Sequence, residues 1–220
     1  MASKTKVVSD PIDGLPTMVV GRWVTEEKHK ILQRYIHMAH GARSRFPSRA
    51  YIDLFSGPGR VMVKHSEHFA DGGSMAAWHI AQQKKGAFTK FLIADASAEY
   101  LNACKIRLTK AGAPGEYFVG YAHETIDQIL PHLDQRGLHF ALLDPFNAGH
   151  LHFSIIQKLA KLPNIDIAVH LSTGDIQRNI AEALRTGSPT LDAFAPGWRN
   201  NISLRSGKGG NAPAISRVLV

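Results

Sequence analysis

One cysteine among 220 residues leaves no internal disulfide and no thiolate pair with zinc-finger spacing. Cys104 falls in a helix-like stretch, 98–110, and reads as a buried, inert thiol. No apolar run approaches the ~20 residues of a membrane span. The opening Met1-Ala2-Ser3-Lys4 lacks the apolar core of a secretion signal, so the expected location is cytoplasmic. Internal repeats and low-complexity runs are also missing. There is no Gly-x-Ser-x-Gly elbow, which argues against Ser/His/Asp hydrolysis. Among the twelve histidines, His37 and His40 share a helix face and His150 and His152 are one residue apart. Neither pair has a carboxylate or cysteine cluster at ligand spacing, so no metal is expected.

What remains is an ordinary globular composition, 44% hydrophobic and 20% charged, with enough chain for one full α/β core. The net charge of +8 is unevenly placed. Residues 1–49 carry nine Lys and Arg against four acids, 50–172 eleven against eleven, and 173–220 six against three. A neutral core with basic ends suits a polyanionic substrate; plain solubility charge is the alternative.

The most informative stretch is Tyr51-Ile-Asp-Leu-Phe-Ser-Gly-Pro-Gly59, an apolar run that ends in a glycine turn. A buried parallel strand presents its backbone to a ligand in this way. Gly57 and Gly59 permit close backbone approach, Asp53 supplies a carboxylate, and Phe55 lies between them. A dinucleotide fingerprint would need Gly or Ala where Met62 stands, and no helix start follows at once. A pyrophosphate cradle is therefore disfavoured. S-adenosylmethionine, which has no phosphates, fits better; an ordinary strand-to-loop turn is the bland reading.

Residues 1–21 hold Pro11, Gly14, Pro16 and Gly21 without periodicity and read as a poorly ordered arm. A helix capped by Thr25 should carry Ile31, Leu32, Tyr35 and Ile36 as its apolar stripe and end near Gly41. Arg43, Arg45 and Arg49 follow and lead into the first strand, close to the expected pocket mouth. They suit phosphate binding or a solvated loop. Residues 60–73 read as a long loop before a helix capped by Ser74. Strands are expected at 88–95, 117–119, 138–143 and 165–171, with helices at 97–111, 124–135, 151–161 and 175–185 between and after them. A terminal hairpin would pair 201–204 with 215–220.

This alternation predicts an α/β, doubly wound, mostly parallel sheet with helices on both faces. It divides into an N-terminal arm and helix (1–49), a Rossmann-like core (50–172) and a C-terminal segment (173–220). Asp53, Asp95 and Asp144 then all fall at strand ends, on the edge where such sheets bind ligands. Asp95 is placed to grip ribose hydroxyls, and Tyr121 follows the next strand.

These residues resemble a class I S-adenosylmethionine-dependent methyltransferase and, more narrowly, the three-Cys-motif partner protein family. The narrower resemblance rests on Trp23-Val-Thr25-Glu-Glu-Lys28 with Tyr35, on residues 51–59, on Gly73-Ser74 and on Leu143-Asp-Pro-Phe146. It continues through Asp175 to Arg178, Leu191-Asp-Ala-Phe194 and Trp198, covering roughly residues 22–200. It implies a methyltransferase-like fold, S-adenosylmethionine as cofactor, and a partner bearing three cysteines like those that hold an iron–sulfur cluster in radical enzymes. Family members continue beyond the Trp198 region, so a short version is expected here. Tyr121 replaces an acid that contacts adenine in many methyltransferases, and Met75 replaces a frequent proline.

Asp144-Pro145-Phe146 is similar to the Asp-Pro-Pro-aromatic motif of enzymes that methylate exocyclic amines, in which a carboxylate or carbonyl accepts from the amine and an aromatic ring stacks on an extruded base. A cofactor-shelf turn with Phe146 in the core is the alternative. Cytosine carbon-5 methylation would need a thiol after proline, whereas Cys104 follows Ala103. The candidate catalytic residues are thus Asp144 and Phe146. Asp53, Phe55, Gly57, Gly59, Asp95, Tyr121 and Asp144 are candidates for the cofactor, and Arg43, Arg45, Arg49 and Arg178 for a nucleic acid or other polyanion. The rival function is a catalytically silent methyltransferase fold that binds a three-cysteine partner or nucleic acid.

Overall fold

The apolar runs become strands and the amphipathic stretches become helices in the computed structural model, which describes residues 6–83 and 85–200. The order is β1 (Val7–Ser9), β2 (Pro16–Val20), a π-helical turn (Val24–Lys28), α1 (His29–Met38), α2 (His40–Arg43) and β3 (Ala50–Asp53). Next come β4 (Arg60–Val63), β5 (Phe69–Asp71), α3 (Gly73–Gln82), β6 (Lys90–Asp95), α4 (Ala98–Lys110), β7 (Gly115–Val119) and α5 (Ala122–Ile129). β8 (His139–Leu143), α6 (Phe153–Leu159), β9 (Ile165–Val169), α7 (Thr173–Thr186) and α8 (Thr190–Phe194) complete it.

Five strands form one all-parallel sheet in the order β7-β6-β3-β8-β9. β3 is central and every one of its residues is buried, because both faces of the sheet are covered. Ile52 points to the side packed by Ile126 of α5 and Ile155 of α6. Tyr51 points to the other side, among Ile36 of α1, Phe91 and Leu108 of α4. Each such large side chain contributes about 1.5–3 kcal/mol by leaving water. The result is the expected Rossmann-like, doubly wound architecture. Local signals agree with it: Ser97 caps α4 by accepting from the Tyr100 N–H at 3.3 Å, and Gly112 ends that helix region with φ of 79°.

The N-terminal segment departs from expectation. Residues 7–20 form an antiparallel pair, β1 with β2, and β2 runs parallel to β4 with Met18 opposite Val61. β4 and β5 are an antiparallel hairpin where a loop was expected, so a second sheet has the order β1-β2-β4-β5. Its anchor is Arg107 of α4. The guanidinium donates to both Asp13 oxygens at 2.7 and 2.8 Å, to the Pro16 carbonyl at 2.8 Å and to the Pro58 carbonyl at 2.6 Å. Arg60 adds a 2.6 Å contact to the buried Asp10.

Two expected helix caps are also displaced. Thr25 donates to the Arg22 carbonyl at 3.1 Å from within the helical turn, and α3 begins after Gly72, which leaves Ser74 inside it. The expected 201–204/215–220 hairpin lies outside the described residues. Among the described residues no helix is long and apolar enough to cross a membrane.

Candidate active site

In a doubly wound sheet the connections leave in opposite directions from one point, and the crevice above that point is where ligands bind. Here the point lies between β3 and β8. A cleft of about 1320 Å³ opens there, lined by Asp53, the 54–60 turn, Asp95 and Asp144. The β2 residues Met18, Val19 and Val20 form part of its wall. The sheet that replaces the expected arm thus shapes the site.

The glycine turn is held at three places. The Gly57 N–H donates to Asp95 Oδ2 at 2.8 Å, the Pro58 carbonyl accepts from Arg107 at 2.6 Å, and the Gly59 carbonyl accepts from the Gly72 N–H at 2.8 Å. Gly57 and Gly59 have φ of 57° and 82°, which a side chain would strain. A Cβ on Gly59 would stand 3.3 Å from the Cys104 backbone. The turn runs directly into β4, whereas the glycine turn of a dinucleotide site runs into a helix.

The three acids differ in environment. Asp53 is buried; its Oδ2 accepts from Ser74 Oγ at 2.7 Å and its Oδ1 from the Phe55 N–H at 3.1 Å. Burial outweighs those bonds and pushes the carboxyl up to about 6. Burial also raises Asp95, against the N–H groups of Ser97 and Gly57. Burial acts on Asp144 in the same direction, but the His170 hydrogen bond and the Lys28 charge hold it below the usual range. Lys28 Nζ lies 2.5 Å from Asp144 Oδ2, and His170 Nδ1 lies 2.9 Å from Oδ1. Both oxygens are therefore engaged by protein groups.

Lys28 and His170 were not foreseen as site residues, nor was Trp23, whose ring centroid lies 5.3 Å from that of His170. Two signals were available. Trp23 and Lys28 bound the stretch 23–28, and His170 directly follows β9 at the edge where the acids follow or end their own strands.

Phe55, Tyr121 and Phe146 also line the cleft. Phe146 is 56% exposed, which overturns the alternative that buries it in the core. Tyr121 is exposed and stacks on His123, which stacks on His152 with ring centroids 4.4 Å apart.

The arginine loop lies elsewhere. It feeds the start of β3, the sheet edge opposite the cleft, so the expectation that it borders the pocket mouth is corrected. Arg43 is buried, donating to the Ile36 and Gly86 carbonyls at 2.6 and 3.1 Å. Arg49 donates to the Ala87 carbonyl at 2.6 Å and to Phe46. Arg45 is exposed, and none of the three lines the cleft. Arg178 is carried by α7, and its side chain is outside what the structure describes. The charged lining consists of Lys6, Lys28, Arg60 and Lys64 against Asp53, Glu67, Asp95 and Asp144. Among the described residues no three His, Cys, Asp or Glu side chains gather as a metal site.

No family model matches the chain, and no curated protein matches it. Among solved structures it is similar to the bifunctional kinase-methyltransferase WbdD, at 13% identity and a TM-score of 0.44. That match covers 68% of this chain and only 31% of WbdD. It is also similar to protein LPL1258 from Legionella pneumophila, of family DUF519, at 11% identity and a TM-score of 0.51. Here 76% of this chain and 74% of that one are covered, and the likeness is one of fold.

Proposed function

We propose that the protein transfers a methyl group from S-adenosylmethionine to an acceptor with a planar ring, in a nucleic acid or another polyanion. The observation that carries the reading is the 2.8 Å bond from the Gly57 N–H to Asp95 Oδ2, at the crevice of a Rossmann-like sheet. It ties the acid ending one strand to the glycine turn after its neighbour, and that turn leads into a strand and not into a helix. The cofactor supplies an activated methyl group. Asp95, with lone pairs remaining, would accept from its ribose hydroxyls, and Asp53 with the Gly57–Gly59 backbone would hold its methionine part. Phe146 and Tyr121 offer exposed rings to the acceptor. Because the charged lining is balanced in sign, attraction for a polyanion falls to the basic ends of the chain.

A silent fold that binds a three-cysteine partner, as the family resemblance implies, is the second reading. What favours it is the engagement of both Asp144 oxygens by Lys28 and His170.

Calorimetric titration of S-adenosylmethionine and its demethylated product distinguishes the two. Wild type should bind both, and Asp95→Ala should bind at least tenfold more weakly, since a charged hydrogen bond contributes about 1.5–3 kcal/mol. Absence of heat with the wild type would overturn the proposal.

A further inference from the structure

His170 is the first residue after β9, and its ring lines the cleft. Its Nδ1 lies 2.9 Å from Asp144 Oδ1. A carboxylate only accepts, so the tautomer that suits this contact carries its proton on Nδ1 and keeps the lone pair on Nε2. No partner for Nε2 is found among the described residues. The ring is also held in place. Lys28 grips the other Asp144 oxygen at 2.5 Å, Trp23 lies against the imidazole, and the His170 N–H donates to the Leu143 carbonyl at 2.9 Å.

The sheet order divides the cleft. β6 and β3 carry Asp95, Asp53 and the glycine turn, the cofactor half. β8 and β9 lie on the other side of β3 and carry Phe146 and His170, the acceptor half. Neighbouring strands are about 4.8 Å apart, so the two halves are adjacent.

We propose that His170 is the general base of the acceptor half, with Asp144 as its positioning residue, and that the acceptor is a hydroxyl or ring N–H that must surrender a proton. The inference rests on the methyl-transfer reading above. The acceptor atom bonds the methyl carbon with its own electron pair, the carbon–sulfur bond gives its pair to sulfur, and the acceptor proton passes to His170 Nε2. The imidazolium then sits against Asp144 until water takes the proton. An exocyclic amine does not need this help, because it attacks with its own lone pair and sheds a proton afterwards. Lys28 is not the base, since its ammonium is already paired with Asp144. Among the described residues, Asp144 is the charged group against His170 and Lys28 is paired with the same carboxylate, while Asp53 and His29 act on Asp144 from farther away.

Proton-detected nitrogen-15 spectra of the donor-free protein read the tautomer directly, with His170 assigned by its loss in His170→Gln. The neutral ring should be Nδ1–H in the wild type and Nε2–H in Asp144→Asn, whose amide can donate to Nδ1. A wild-type Nε2–H ring overturns the proposal whichever acceptor is used. With labelled S-adenosylmethionine and total cellular RNA, DNA or small-molecule extract, His170→Gln should lose about 10²–10⁴-fold in transfer while binding the donor within twofold of wild type. Wild-type transfer by His170→Gln overturns the base alone, and a methylated exocyclic amine as product overturns the acceptor class. A wild type that takes up no donor overturns the methyl-transfer reading and the base with it.

Discussion

Replacing Arg107 with methionine tests whether the N-terminal sheet belongs to the body of the protein. The change keeps most of the apolar stem and removes the cation that bridges α4 to Asp13, Pro16 and Pro58. Removing one partner of a buried ion pair costs about 3–5 kcal/mol. Asp13 keeps 21% of its side chain exposed, so the lower end applies to the pair. The Pro16 and Pro58 carbonyls lose their donor as well, at about 1 kcal/mol each. The expected loss is about 5 kcal/mol, or ~10–20 °C in melting temperature at ~2–4 °C per kcal/mol for a chain of this length. Urea unfolding gives the free energy, and limited proteolysis reports whether residues 6–20 come loose first. Arg107→Lys should fall between the two, because one ammonium keeps the charge but cannot span the same partners. An Arg107→Met protein within 1 kcal/mol of wild type and equally protected at residues 6–20 would refute the staple.

Asp53 sets a pH dependence of definite sign. Its folded value, about 6, stands above the ordinary 3.8 because burial disfavours the charge, so the native state holds its proton longer and stability falls as pH rises from about 4 to 6. The stability difference between wild type and Asp53→Asn, followed by urea unfolding across that interval, should shift against the wild type; a flat difference contradicts the assignment. Phe146→Ala should change stability by less than about 0.5 kcal/mol, as for other exposed positions, and should lower methyl transfer. A large drop in melting temperature would return Phe146 to the core.

The five parallel strands were legible because each is a short, largely apolar run, most plainly in β3, β6 and β8, which are mostly buried, and less so in the half-exposed edge strands β7 and β9. The acids at the ends of β3 and β6 and just after β8 followed from the same pattern, since chain direction puts every strand's last residue on one edge. That rule also decides against the arginine loop. Arg43, Arg45 and Arg49 precede β3, so the direction that brings Asp53 to the cleft takes them to the other edge.

The second sheet was harder to see. Its strands are short and half-exposed, and β2 finds β4 only across the intervening helices, with Val19 opposite Met62. Pairing of that kind leaves no period in the local sequence. Lys28 and His170 were missed for a related reason. Each is ordinary in its own segment and acquires a role only when Asp144 lies between them.

The glycine turn has its conformational freedom removed before any ligand arrives, because Asp95, Arg107 and Gly72 each fix one of its three residues. A loop ordered in this way has little entropy left to lose on association. For a ligand that docks on residues 57–59, the same three hydrogen bonds would serve affinity as well as the fold. A substitution that loosens any of the three tethers should then lower both stability and the affinity of such a ligand, even at a position the ligand does not touch.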